Sequence, residues 1–135
     1  MRTAYVTVAL KGLAAKNSTY EADFLVDTGA TDSLAPGSEL RKIGIETAGK
    51  TTYELANGVI EEYSFGLVQI SFMGEVTAGR VIFGPNEAEP ILGVTALESV
   101  GIILDPVTQT LKRLPAIPLK QIIKGVVYGP YSSGN

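Results

Sequence analysis

Short β-prone runs follow one another from Ala4 to Leu114, and nearly every one is closed by a Gly, Asn-Gly or Pro signal. That rhythm constrains the chain more than any other feature, because it leaves no room for a long helix and points to an all-β domain. Val6, Val8 and Leu10 alternate on one face of a first strand, Ala4 to Leu10. A second strand, Tyr20 to Val26, ends in the continuously apolar Phe24-Leu25-Val26, as expected where both faces are covered. Lys11-Gly12 and Lys16-Asn17-Ser18-Thr19 connect the two into a hairpin.

Further on, Thr51 to Leu55 and Val59 to Phe65 flank Ala56-Asn57-Gly58. Asn-Gly between β-type runs is a strong hairpin signal, since both residues tolerate positive φ. Glu54, Glu61 and Glu62 make this hairpin polar, so it should project from the body. Leu67 to Phe72 and Val76 to Phe83 flank a second hairpin turn at Met73-Gly74-Glu75. Ser33 to Pro36 reads as a short extended segment, and Ile91-Leu92-Gly93 as a short buried strand. Ser38 to Ile43 could form one helical turn, capped by Ser38, with Leu40 and Ile43 facing inward. Thr95 to Val100 reads as the one short helix, with Thr95 and Glu98 as a capping box and Gly101 as its stop. Ile102 to Leu104, a turn at Asp105-Pro106 and a last strand from Thr110 to Leu114 follow, and the sum of short strands points to a small closed or sandwich-like barrel. Residues 1–114 form the expected domain, and residues 115–135 a partly flexible C-terminal extension whose apolar stretch, Leu119 to Val127, could dock or pair.

Composition enters through what is missing. The chain has 135 residues, and no His, Cys or Trp. That removes Ser-His-Asp and Cys-His nucleophilic sites, His- and Cys-based zinc sites, iron–sulfur clusters and disulfides. Acid–base chemistry must come from carboxylates, Lys or Tyr, and the aspartates are only Asp23, Asp27, Asp32 and Asp105. A net charge of -3 carries no nucleic-acid footprint. No segment approaches the roughly 18 apolar residues of a membrane span, and the N-terminus has no signal-peptide core, so a soluble cytoplasmic protein is expected.

The residues that carry chemistry lie in Leu25-Val26-Asp27-Thr28-Gly29-Ala30-Thr31. An apolar strand delivers a carboxylate to a tight turn, where Gly29 lets the backbone approach closely and Thr28 can hydrogen-bond across. Taken alone, Asp27-Thr28-Gly29 also suits a plain Asx turn. The stretch resembles the active-site signature of the retropepsin-like aspartic proteases, in a bacterial-type form. Asn57-Gly58 sits where that family places its flap tip. Ile91-Leu92-Gly93 with the helix after it resembles the family's second motif, and Ile102 to Pro106 resembles the strand and turn that follow. The two motifs also echo each other: Leu25-Val26-Asp27 and Ile91-Leu92-Gly93 both set two apolar residues before a turn, and only the first keeps an acid.

The resemblance implies a closed barrel of acid-protease type with a flap, and an endopeptidase that needs neither metal nor cofactor. It implies Asp27 as the catalytic acid, with Thr28, Gly29 and Ala30 supporting it. Tyr53, Ala56, Asn57 and Gly58 would belong to the flap and the substrate groove, and Asp32 could bind a substrate backbone. Tyr53 also suits a cross-strand packing role, and Glu61-Glu62 a solvated edge. One chain supplies one Asp-Thr-Gly, and Asp23, Asp32 and Asp105 lack that setting. The site would therefore form across a homodimer twofold, Asp27 facing its mate over a polypeptide substrate. The alternatives are a non-catalytic dimeric module that binds peptide in the same groove, and an inactive monomer that awaits a partner or processing of its tail. Val94 stands where viral members carry an Arg that braces the dimer, so the dimer contacts must differ from theirs.

Overall fold

The computed structural model describes residues 4–14 and 18–119. The middle of the first expected connection, residues 15–17, and the tail from residue 120 lie outside the described residues, so the expected docking of Leu119 to Val127 falls almost wholly outside them.

The elements run β1 (Tyr5–Gly12), β2 (Thr19–Asp27), β3 (Ser33–Pro36), α1 (Gly37–Lys42), β4 (Gly49–Glu54), β5 (Ile60–Phe72), β6 (Glu75–Gly84), β7 (Ile91–Gly93), α2 (Val94–Ser99), β8 (Ile102–Leu104) and β9 (Leu111–Arg113). Seven strands hydrogen-bond in the order β1-β2-β7-β3-β6-β5-β4, with β1 pairing again with β5, while β8 and β9 form a separate two-stranded sheet. That second pairing, Ala9↔Ser71 to Gly12↔Val68, closes six strands into a barrel and leaves β4 outside it. Closure removes the exposed edges that an open sheet would present. The expected all-β barrel with a flap hairpin is therefore present, with two helices of six residues each.

Alternation explains the interior. Val8 and Leu10 of β1, Phe24 and Val26 of β2, Val68 and Ile70 of β5, Val81 of β6 and Leu92 of β7 meet in one buried cluster. Leu97 of α2 and Leu40 of α1 join the same cluster, and Leu40 and Ile43 face inward as their spacing predicts. A buried Leu or Phe side chain contributes about 1.5–3 kcal/mol, so this cluster is the principal source of stability.

Several local expectations are corrected. The runs on either side of Gly66 are one continuous 13-residue strand. Gly66 does not break it; a Cβ there would lie 2.6 Å from Ile45 Cγ2, so the missing side chain lets the segment after α1 pack across the strand. One long strand thus belongs to both the flap and the barrel. The flap turn also differs in kind. Gly58 has φ of 85°, whereas Asn57 keeps an ordinary negative-φ backbone. Gly58 N–H donates to the Leu55 carbonyl, and the Asn57 side chain accepts from Val59 N–H. The three residues between the two runs thus form a loop with a glycine bulge, positive in φ at Gly58 alone. The two-residue turn with both φ positive occurs at Met73-Gly74, between paired Phe72 and Glu75. Neither helix has a side-chain cap: α1 begins after Pro36 and α2 after Gly93, so Ser38 and the Thr95–Glu98 box do not serve as predicted. Tertiary partners take over that work. Asn86 Oδ1 accepts from Ser38 N–H, and the carbonyls of Ala30 and Thr31 accept from Val94 and Thr95 N–H. A helix start needs its N–H groups satisfied, and any acceptor in reach will serve. Gly101 does stop α2, in the left-handed region with φ of 71°.

Of the expected C-terminal extension, residues 115–119 are described. Ile117 lies against Gly101, where a Cβ would come within 2.7 Å of Ile117 Cγ1.

Candidate active site

β2 and β7 run parallel and side by side, with Leu25↔Ile91, Val26↔Leu92 and Asp27↔Gly93 in register. Phe24 and Val26 anchor β2 in the core, so Asp27 arrives at the barrel's end on a fixed strand. The turn after it is closed by Ala30 N–H donating to the Asp27 carbonyl. Gly29 N–H donates to Asp27 Oδ1 at 2.9 Å, which fixes one carboxylate oxygen. A Cβ on Gly29 would sit 3.2 Å from that oxygen, a tight contact. Asp27 is half-buried, while Thr28 and Gly29 are exposed on the single chain.

Gly93 is structural, and the reason is severe. A Cβ there would lie 2.6 Å from the Asp32 carbonyl carbon and 2.7 Å from the Thr31 oxygen. Gly93 N–H donates to Ser33 Oγ at 3.0 Å, and Ser33 is the buried polar residue of the described core. The loop carrying Asp27 is thus gripped on both sides: Gly93 and Ser33 pin its far end, and the N-terminus of α2 uses its carbonyls. Ser33 had no signal in the sequence, where a lone Ser beginning a strand is unremarkable.

Asp32 and Tyr53 come together. The Tyr53 hydroxyl donates to Asp32 Oδ2 at 2.6 Å. The Tyr53 ring also packs on Tyr63 across the hairpin, with ring centroids 6.3 Å apart, which is the cross-strand packing weighed from the sequence. Burial holds its phenol above the usual tyrosine range, and the Asp32 hydrogen bond and charge add to this; Arg80 pulls the other way. Arg80 of β6 is a residue that sequence reasoning missed. Its guanidinium stacks 4.1 Å above the Phe65 ring and donates to Thr51 Oγ1 at 2.8 Å. A cavity of about 20 Å³, room for one water, lies among Thr31, Asp32, Ser33, Arg80 and Thr95.

Ala56, Asn57 and Gly58 are exposed at the hairpin tip, remote in sequence from Asp27 and made from a polar loop. Glu61 and Glu62 are exposed, and Glu61 accepts from the Tyr63 hydroxyl. Asp105 is a turn residue, accepting from Val107 and Thr108 N–H, which holds its carboxyl below the usual range. No group of three or more carboxylates that could hold a metal occurs among the described residues.

Comparison with known proteins bears on this arrangement. A search of curated proteins gave no significant match. Among solved structures, EIAV protease complexed with the inhibitor HBY-793 aligns at a TM-score of 0.56 and 22% identity, over 74% of this chain and 89% of that one. The retroviral protease-like domain of Ddi1 from Leishmania major aligns at 0.52 and 16%, over 86% and 91%. The simian foamy virus (mac) protease aligns at 0.50 and 14%, over 70% and 91%. At such identities the likeness is one of fold. The sequence itself matches the family model described as "gag-polyprotein putative aspartyl protease" over residues 14–99, a span that takes in the Asp27 turn, the flap hairpin and the Gly93 strand. With well over half its length matched in this way, the chain belongs to the retropepsin-like aspartyl protease family.

Proposed function

We propose that the protein is an aspartic endopeptidase that works as a homodimer, with Asp27 from each of two copies forming the catalytic pair. The observation that carries this reading is the register Asp27↔Gly93: the strand end beside Asp27 holds a glycine, so one chain offers one acid. Gly93 has no space for a carboxylate of its own. A second Asp27 must then come from a second copy, brought in by a twofold axis beside the exposed Thr28 and Gly29.

The chemistry follows from two carboxyls held close together. At about 3 Å they cannot both ionise and so share one proton. The ionised member draws a proton from a water, which attacks the peptide carbonyl. The protonated member gives its proton to the carbonyl oxygen. Collapse of the tetrahedral species then releases the amine, which takes up a proton from the pair. Gly29 N–H keeps Asp27 Oδ1 oriented throughout. The apparent pKa values belong to the pair. The flap from β4 to β5 would cover an extended peptide, offering backbone hydrogen bonds to its main chain.

The test joins two measurements. Wild-type protein cleaves an unfolded polypeptide at mildly acidic pH and sediments as a dimer, while Asp27→Asn stays folded and cleaves nothing. Cleavage that survives the substitution overturns the reading, as does activity from a strictly monomeric chain. Tight peptide binding without turnover from pH 3 to 7 would mark a binding module instead.

A further inference from the structure

The flap is a free-standing edge: β4 pairs only with β5, at the end of the strand order. Main-chain bonds to one neighbour would leave its whole length free to swing. Side chains on one face of β4 oppose that. Tyr53 donates to Asp32 on the loop that carries Asp27, at 2.6 Å. Two residues earlier on the same face, Thr51 accepts from Arg80 of β6, whose guanidinium lies over Phe65 of β5. Beyond Tyr53 the contacts change. Leu55, Gly58 and Val59 bond only within the hairpin turn, and residues 56–60 are exposed.

We infer that Tyr53, Asp32 and Arg80 form a clasp that holds the base of the flap to the Asp27 loop and to β6, so that only the segment beyond Tyr53 opens to admit a peptide. This deepens the proposed reading of the site, and its catalytic consequence rests on that reading. Tyr53 and Arg80 are positioning residues. A phenol bonded to a carboxylate is a short, charge-assisted contact, and Asp32 follows Asp27 by five positions on one loop. The clasp therefore sets the height of the flap base relative to the candidate catalytic acid. Two anchors on alternate residues of β4 also place the hinge: bending falls at residues 54–60, where neither anchor reaches.

Hydrogen exchange tests the clasp without any turnover. In Tyr53→Phe, which keeps the ring packed on Tyr63, the amides of β4 should exchange about threefold to tenfold faster, while those of β1 and β2 stay unchanged. Asp32→Asn should give an increase of similar size, and the double variant no more than either alone, because the two residues share one contact. In the active protein the same substitutions should raise KM about threefold to tenfold with the loss carried by KM and not kcat. Unchanged exchange in β4, or strictly additive effects of the two substitutions, overturns the clasp. Faster exchange in a protein that cleaves nothing supports the clasp and sinks the protease reading; cleavage with unchanged exchange does the reverse.

Discussion

Two strands reach the same end of the barrel side by side, β2 and β7, and they finish in opposite ways. Both carry two apolar residues, both then turn, and the third residues face each other as Asp27 and Gly93. On one side the turn opens outward, leaving Thr28 and Gly29 exposed and a carboxylate half-buried. On the other it closes inward, with no space for a Cβ and its N–H donated to Ser33. The difference teaches how work divides between near-equivalent elements. The open turn presents an acid and has little packing; the closed turn carries packing and holds the open one in place.

Substitutions can break that division. The largest effect is expected from Asp27→Asn, which should lower cleavage by about three orders of magnitude or more while leaving the melting temperature nearly unchanged; turnover assays with a thermal melt check both parts. Gly93→Ala should reverse the pattern, costing about 2–3 kcal/mol of stability because the new Cβ must displace the backbone of Thr31 and Asp32. Urea denaturation measures this. Gly93→Asp should fare no better, and a well-folded, active monomer from that variant would mean that the two turns are more alike than their packing indicates. Ser33→Ala should cost about 1–3 kcal/mol, since it strands the buried Gly93 N–H, and denaturation again reads the loss. Smallest is Gly58→Ala at the flap tip, where nothing lies within 4 Å of a Cβ but φ is 85°. Its cost should be about 1 kcal/mol of local strain, visible as faster amide exchange in the hairpin and not as a lower melting temperature.

How much of this was legible in the sequence depends on the range of the interaction. Turn chemistry is local, so Asn57-Gly58, Met73-Gly74, Gly101 and Asp105-Pro106 all mark real turns. The apolar approach to Asp27 is local too, and the likeness of Leu25-Val26-Asp27 to Ile91-Leu92-Gly93 was visible; their direct parallel pairing was not. Partners far apart in the chain leave no local trace. Carbonyls of Ala30 and Thr31 start α2, so a plausible capping box at Thr95 and Glu98 goes unused. Gly66 looks like a breaker because its reason, the packing of Ile45, comes from another segment. Arg80 and Ser33 were missed for the same cause: a lone Arg and a lone Ser gain meaning only when Tyr53, Thr51 and Gly93 arrive beside them.

The central claim is that one catalytic unit needs an Asp27 from each of two chains. Subunit mixing tests it most directly. Wild-type protein at fixed concentration is mixed with increasing Asp27→Asn protein, allowed to exchange subunits and assayed for cleavage. A shared site predicts that activity falls toward zero as the variant comes into excess, because nearly every wild-type chain is then paired with one lacking the acid. Activity that stays at the wild-type level across the whole titration would show that each chain works alone, and would contradict the account.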